Sequence, residues 1–332
     1  VPGDARTLDL GDVTLLPERL QECGYQTAAV GKLHFVPHLK TFGFQRKKLH
    51  DATYNIYSRS ADFSDYVDWL QENYYQDDPQ EPVRRAESDE RARKEKNDAK
   101  TFYKGSNWRS EEQHSTTWTA NESITYLRSV DKDRPFFLFS SFFAPHQPYA
   151  VPSPWNDRIP PEEVELPPQF YAEMDDAPIF QARKAAGRKK HMDEWSEADY
   201  KELISAYYGG VLMIDHYVGK MFAALEEEGL WDSTMVIFLA DHGDHLGRYG
   251  ILGKGEMLDS CCRVPLLVKP ATTGSAGAGG GVVVDKVVNT LDLYGTILDA
   301  AGDENWKSDP MEAEGIEARS LLQLIAAATG ED

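Results

Sequence analysis

Asp232-Ser-Thr-Met-Val-Ile-Phe-Leu-Ala240-Asp241-His242-Gly243-Asp244-His245 is the stretch whose reading decides the fold. Met235 to Ala240 is a continuous apolar run, the pattern of a strand buried on both faces as in a parallel sheet, and it stops abruptly at carboxylates and imidazoles. Upstream, Ser196-Glu-Ala-Asp199 has the form of a capping box. Leu203, Ala206, Tyr207, Val211, Ile214, Val218, Met221, Phe222 and Leu225 follow at helical spacing until Gly229, predicting a long helix. Helix, strand and polar exit recur elsewhere. Thr14 to Gly24, with Pro17 in its first turn, predicts a short helix, and Tyr25 to Val30 a buried strand that runs into Gly31-Lys32-Leu33-His34. Pro135 to Phe143 predicts an aromatic strand ended by Ala144-Pro145-His146-Gln147-Pro148. Downstream, Pro265 to Lys269 and Val282 to Val288 continue the strand pattern and Leu291 to Ala301 the helical one. Alternation of this kind predicts an α/β fold, a mainly parallel central sheet with helices on both faces, whose ligands bind beyond the carboxyl ends of the strands.

Composition narrows the function classes. The chain has 332 residues, enough to bury a substantial core, and 35 Lys plus Arg against 55 Asp plus Glu give a net charge of −20. That field repels nucleic-acid backbones and anionic lipid surfaces, so no nucleic-acid partner is expected. No window approaches the roughly 18 apolar residues of a membrane span. The three cysteines, Cys23, Cys261 and Cys262, form no C-x-x-C pair, which argues against a structural zinc site or a disulfide framework. Residues 77–100 are dense in both charge signs and read as a solvated helix or insertion; residues 272–281 read as a flexible Gly/Ala/Ser loop. The chain opens at Val1 in polar sequence without an initiator Met, so it names no compartment, and oligomeric state is not legible.

Four polar signals stand at or just after strand exits. Asp241 and His242 offer a hard oxygen and an imidazole nitrogen, a combination that suits a divalent cation; the alternative is a turn-capping Asp beside solvated histidines. Lys32 and His34, two positions apart in extended chain, would face one side and present a cation and a hydrogen-bonding ring to an anion; the alternative is an ordinary loop. His146 between two prolines suits a proton donor held in place, or a structural histidine. Lys254 between Gly253 and Gly255 could reach an anionic ligand, or be a plain surface lysine. His114, Trp118 and Asn121 read as a helix start rather than a pocket wall, and the sequon Asn121-Glu-Ser123 has no assigned role. Together the signals suit an oxyanion ester.

These residues resemble the sulfatase family within the alkaline phosphatase superfamily. Leu16 to Phe35, containing Gly24-Tyr25-Gln-Thr27 and Gly31-Lys32-Leu-His34, is similar to the family's second signature. Pro135-Phe-Phe-Leu with Ala144-Pro145-His146-Gln-Pro148, Tyr207 to Gly219 with its Ile214-Asp215, and Asp232-Ser-Thr234 to Gly243 match further segments. Lys254 is followed nine positions on by Arg263 and eleven on by Pro265, fitting a fifth pattern. The resemblance implies an alkaline-phosphatase-like fold with one catalytic domain over 1–332. It implies that Asp241 and His242 ligate a divalent metal, calcium first with Mn2+ or Mg2+ as alternatives, that Lys32 and Lys254 hold sulfate oxygens, that His34 supports the nucleophile, and that His146 stands at the leaving group. It further implies hydrolysis of a sulfated sugar, aryl or alkyl sulfate through a formylglycine made from a C/S-x-P-S-R motif.

The sequence departs from the pattern at that motif. Neither the Asp-Asp metal pair nor C/S-x-P-S-R precedes the Gly24-Tyr25 segment. Cys262-Arg-Val-Pro places its proline one position late, and Ser308-Asp-Pro-Met-Glu lacks the arginine. None of the cysteines fits the nucleophile. The expectation is an N-terminally incomplete catalytic domain, without a C-terminal subdomain, inactive as written and exposing an apolar sheet edge. Phosphodiester or phosphonate monoester hydrolysis and a noncatalytic anion- or metal-binding relative are the alternatives.

Overall fold

The computed structural model describes residues 14–35, 40–50, 64–78, 80–81, 109–170, 195–271, 281–303, 305–306 and 319–329. The helix expected from Thr14 is α1, Leu16–Glu22. Leu15 N donates to Glu18 Oε2 at 2.8 Å at its start, and Gly24, with φ 88°, carries the chain out of it. The strand that follows is β1, Gln26–Gly31. It pairs parallel with β2, Arg46–Leu49, on one side and with β3, Phe136–Ser141, on the other, in the order β2-β1-β3.

Period-two alternation sorts this sheet's side chains between two helical layers. Ala28, Phe136 and Leu138 pack against Tyr126 and Val130 of the α3 region, α3 being Ser115–Ser129. Phe137 on the other face joins Leu20 of α1 and Leu298 of a later helix, Asp292–Ala300. A further helix, α2 (Asp65–Tyr74), seats Tyr66 and Leu70 against Trp118. His114 caps α3, its Nδ1 accepting from Thr116 N at 3.2 Å, while Trp118 is buried and Asn121 exposed; the helix-start reading holds.

The long helix is α4, Glu197–Glu227, with the capping box in place: Asp199 N donates to Ser196 Oγ at 3.3 Å and Ser196 N to Asp199 Oδ2 at 2.7 Å. Met213 and Tyr217 on its inner face meet Ala120, Val151 and Trp155. Here the sequence reading needs correction. The apolar run forms β4, Val236–Leu239, but β4 pairs antiparallel with β5, Leu266–Lys269, in a separate two-stranded sheet. It is not buried on both faces: Phe238 is 40% exposed and its cross-strand partner Leu267 60%. An apolar run records what a strand can bury, not whether a neighbour covers it. The four polar signals therefore leave two sheets, not one.

A short helix α5, Asp259–Cys262, precedes β5, and α6 (Asp292–Ala300) and α7 (Leu321–Thr329) follow it. Residues 282–288 form no strand; no ladder takes them up among the described residues, and Val283 and Val287 point into solvent. The three cysteines carry free thiols. All but four residues of the charged stretch 77–100, and all but Gly281 of the loop 272–281, lie outside the described residues. No helix of the described residues is long and apolar enough to cross a membrane.

Candidate functional site

Two glycines set the site by letting backbones come close. Gly31, at the end of β1 with φ 98°, is so near β3 that a Cβ there would lie 2.0 Å from Ser141 O, and Lys32 N donates to that same oxygen at 2.8 Å. Gly243 sits in the same way against Ser260, where a Cβ would lie 1.9 Å from its carbonyl oxygen, and Gly243 N donates to Cys261 O at 2.9 Å. The first contact aims Lys32, the second aims the Asp241-His242 pair before it.

The two exits meet. Lys32 Nζ donates to Asp241 Oδ2 at 2.9 Å across 209 positions of sequence, its side chain 11% exposed against 62% for the carboxylate. Asp241 Oδ1 accepts from His242 N at 2.9 Å, and His242 Nε2 lies 3.4 Å from Oδ2. Burial works against the charge on Asp241, but the Lys32 ammonium and then His242 hold its carboxyl below the usual carboxylate range. His242 Nδ1 donates to Gly243 O at 2.9 Å, which leaves Nε2 as the lone-pair nitrogen, and Lys254 Nζ donates to it. Burial, then the neighbouring Lys32 charge, lowers the Lys254 ammonium, opposed by Asp241 and Asp244.

His146 completes the group, its ring centroid 6.5 Å from that of His242. Its Nδ1 donates to Gln147 O at 2.8 Å, so Nε2 is the free nitrogen. Burial pushes this histidine down to about 4, with Lys254, Lys32 and His242 acting in the same direction and the Gln147 carbonyl against. It is neutral at pH 7.

The structure thus gathers Lys32, His146, Asp241, His242 and Lys254. The expectation that Lys32 and His34 share a face through extended chain is corrected: Gly31 at φ 98° and His34 at φ 58° turn the backbone left-handed, and His34 ends exposed beyond β1. Asp241 and His242 are two donors on one side of the cluster, each with a lysine ammonium against it. No group of three or more His, Cys, Asp or Glu side chains that could hold a metal exists among the described residues. Calcium takes six to eight oxygens, so this pair alone does not fit it.

Sequence reasoning passed over the residues behind these. Asp244 accepts from Leu246 N at 3.0 Å and Gly253 N at 2.9 Å on Oδ1, and from Tyr149 Oη at 2.7 Å on Oδ2. His245, with Nε2 2.9 Å from Glu256 Oε2 and Nδ1 2.7 Å from Ser260 Oγ, pairs with Glu256 at zero side-chain exposure. Only the alternation of acid and imidazole in Asp241-His-Gly-Asp-His245 marked them.

Comparison with known proteins sets the cluster in context. The family model described as Sulfatase matches residues 8–303. An arylsulfatase of Clostridium perfringens (strain 13 / Type A) is 27% identical over 322 residues, covering 93% of this chain and 62% of the relative. The solved phosphonate monoester hydrolase SpPMH from Silicibacter pomeroyi superposes with TM-score 0.65 at 20% identity, over 97% of this chain and 62% of that one. The structure of BT4656 in complex with its substrate D-glucosamine-2-N,6-O-disulfate does so with TM-score 0.63 at 18% identity, over 98% and 67%. At these identities the solved structures speak to the fold alone, and the chain spans about three-fifths of the arylsulfatase it matches. The family match covers most of the chain and includes all five gathered side chains: this chain belongs to the sulfatase family.

Proposed function

We propose that residues 1–332 are the larger part of the catalytic domain of a sulfuric ester hydrolase acting on a small sulfate monoester of a sugar, aryl or alkyl alcohol. The observation that carries the reading is the meeting of Lys32 with Asp241 from two separate sheets, beside the contact of Lys254 with His242 within the β4–β5 connection. Two ammonium groups within one cluster, each leaning on a group that an incoming anion or cation would displace, suit a tetrahedral oxyanion. Fixed cations lower the cost of charge developing on the transferred group because they need no reorganisation during the reaction.

In this reading Lys32 and Lys254 bind the non-bridging oxygens. His146 presents Nε2 to the ester oxygen; being neutral when the site is empty, it becomes a proton donor to the leaving alkoxide only after the anion's charge has drawn a proton onto it. Asp241 and His242 would be two ligands of a divalent cation, calcium first, whose chemistry when bound is to polarise the sulfate oxygens. The remaining ligands and the formylglycine nucleophile belong to a segment outside residues 1–332, since no C/S-x-P-S-R motif stands in the sequence. His34, exposed on the β1 exit, would support that nucleophile. A strand carrying it has a seat available: β3 and β4 are both edge strands among the described residues, and Phe139 and Phe238 on them are each 40% exposed. The 332-residue chain should then bind the ester without turning it over.

The test is calorimetric titration of the 332-residue chain with phenyl sulfate and with phenylphosphonate, alongside an assay for released phenol. Binding of phenyl sulfate, weakened about tenfold or more in Lys32→Ala and Lys254→Ala, with no phenol released, supports the reading. Tighter binding of phenylphosphonate favours phosphonate monoester hydrolysis. Release of phenol by the chain alone overturns the outside nucleophile. Absence of binding to either ligand overturns the oxyanion site.

A further inference from the structure

Among the described residues, three of the four non-glycine residues with positive φ lie in the loops that follow β1 and β4: His34 at 58°, Leu246 at 45° and Tyr249 at 55°. With Gly247 and Gly250 also positive, four of the five residues from 246 to 250 are left-handed, a backbone that persists only where its surroundings over-determine it. Packing does not supply that determination on one flank, where a cavity of about 620 Å³ opens between the loop and Ile204, Tyr208, Ser260 and Arg263. Hydrogen bonds do. The Asp244 carboxylate accepts Leu246 N within the loop, Gly253 N one residue before Lys254, and Tyr149 Oη three residues after His146. In return His245 N donates to Gly253 O at 2.8 Å, and the buried His245–Glu256 pair ties the chain on the other side of Lys254. Tyr149 is itself buried at 3% exposure, so its hydroxyl has a fixed origin.

We propose that Asp244 is a positioning residue, one carboxylate that fixes the loops bearing His146, His242 and Lys254 at a single mutual spacing through Tyr149 Oη, Gly253 N and Leu246 N. It touches neither substrate nor reacting atoms. The proposal rests on the reading that those three side chains face one oxyanion, and it adds what holds them in register across 95 positions of sequence. An asparagine at 244 would keep Oδ1 as acceptor for the two amides and meet Tyr149 Oη with an N–H, so the conservative variant should rescue the geometry where alanine does not.

The experiment uses the 332-residue chain with inorganic sulfate as the titrant and, separately, the rate of His146 carbethoxylation by diethyl pyrocarbonate read by mass spectrometry. Tyr66→Phe, which removes a 2.6 Å hydrogen bond from the tyrosine hydroxyl to Gln113 O and none of the bonds made by Asp244, is the stability control. Tyr149→Phe and Asp244→Ala should each weaken sulfate binding about tenfold and speed His146 modification several-fold, as expected for loss of a charge-assisted hydrogen bond. Asp244→Asn should lie close to the parent, and the Tyr149→Phe/Asp244→Ala double variant should be no worse than Asp244→Ala, because both act through one bond network. Tyr66→Phe should change neither quantity. If the parent chain binds no sulfate, the oxyanion reading falls, and the carbethoxylation rates still decide the positioning role. Unchanged His146 reactivity in Tyr149→Phe, or strictly additive losses in the double variant, overturns the proposal.

Discussion

The three-stranded and two-stranded halves of this molecule reach the same site by different means. In the first, β1 is covered on both faces, Ala28, Ala29 and Val30 being at most 2% exposed, and Lys32 is aimed by a strand whose position burial dictates. In the second, β4 and β5 leave Phe238 and Leu267 open to solvent, and Asp241, His242 and Lys254 are aimed by loop-to-loop hydrogen bonds through Asp244 and His245. Apolar burial is non-directional and fixes a strand as a whole, whereas hydrogen bonds fix particular atoms. A site assembled from both should therefore fail in two distinguishable ways.

The largest effect is expected from the two close-approach glycines. Gly31→Val places a Cβ into Ser141 O from a left-handed backbone, and a cost of about 4 kcal/mol or more should unfold the buried half with the rest of the domain. Gly243→Val meets Ser260 O as closely, but α5 is a four-residue helix that can yield. Its expected signature is loss of ligand binding with a smaller change in the urea midpoint. Equal loss of stability in both variants would show that the halves unfold as one unit with no difference in rigidity. Next in size is Leu20→Ala, at 0% exposure between Leu298 and Trp306, where truncation should cost about 2–5 kcal/mol by urea denaturation.

How much of the molecule is legible in the sequence follows the same division. β1, β3 and α4 announce themselves because long apolar or periodic runs record burial; Lys32, His146, Asp241 and His242 stand out because polar groups just after such runs are unusual, and Lys254 by the glycines on either side of it. β2, Arg46-Lys-Lys-Leu49, gives no signal, since its parallel pairing to β1 is made by backbone atoms beneath charged side chains. The exposure of β4 is hidden because its composition matches a strand whose second neighbour is present. His34 is misplaced by alternation because the left-handed turn after Gly31 cancels it. Asp244 and Tyr149 are invisible as a pair, a hydrogen bond at a separation of 95 positions having no local spacing to betray it.

Acid should discriminate the halves at intermediate size. His50 and His114 are buried in the first half; burial, then the Arg109 charge, pushes them to about 3 and about 4. Both are neutral when folded and take up protons below about pH 6.5 when unfolded. The stability they protect is complete above pH 6.5 and declines as pH falls toward 4, at about 1.4 kcal/mol per pH unit for each histidine. Urea midpoints measured from pH 7.5 to 4.5 should show that slope. His50→Gln should be less stable at pH 7, yet lose about a third of the slope, since His146, also held at about 4, contributes alongside His114. A midpoint flat to pH 5 would mean that these rings are hydrated in solution.

The smallest effect is the most informative about the second half. Leu267 is 60% exposed and stands opposite Phe238 on one face of the β4–β5 ladder. A side chain already in water has little transfer free energy to lose, so Leu267→Thr should change stability by no more than about 0.5 kcal/mol, against several for Leu20→Ala. Because β4 and β5 are edges, the same substitution should lower the light scattering of concentrated solutions by removing apolar surface beside open backbone groups. A cost of about 2 kcal/mol instead would mean that this face is covered in solution, by a second copy or by residues outside the described ones. The two are separable, since coverage by a second copy makes the urea midpoint depend on protein concentration and coverage within one molecule does not. In the second case the loops bearing Asp241 and Lys254 would be held by burial as Lys32 is, and the contrast between the halves would disappear.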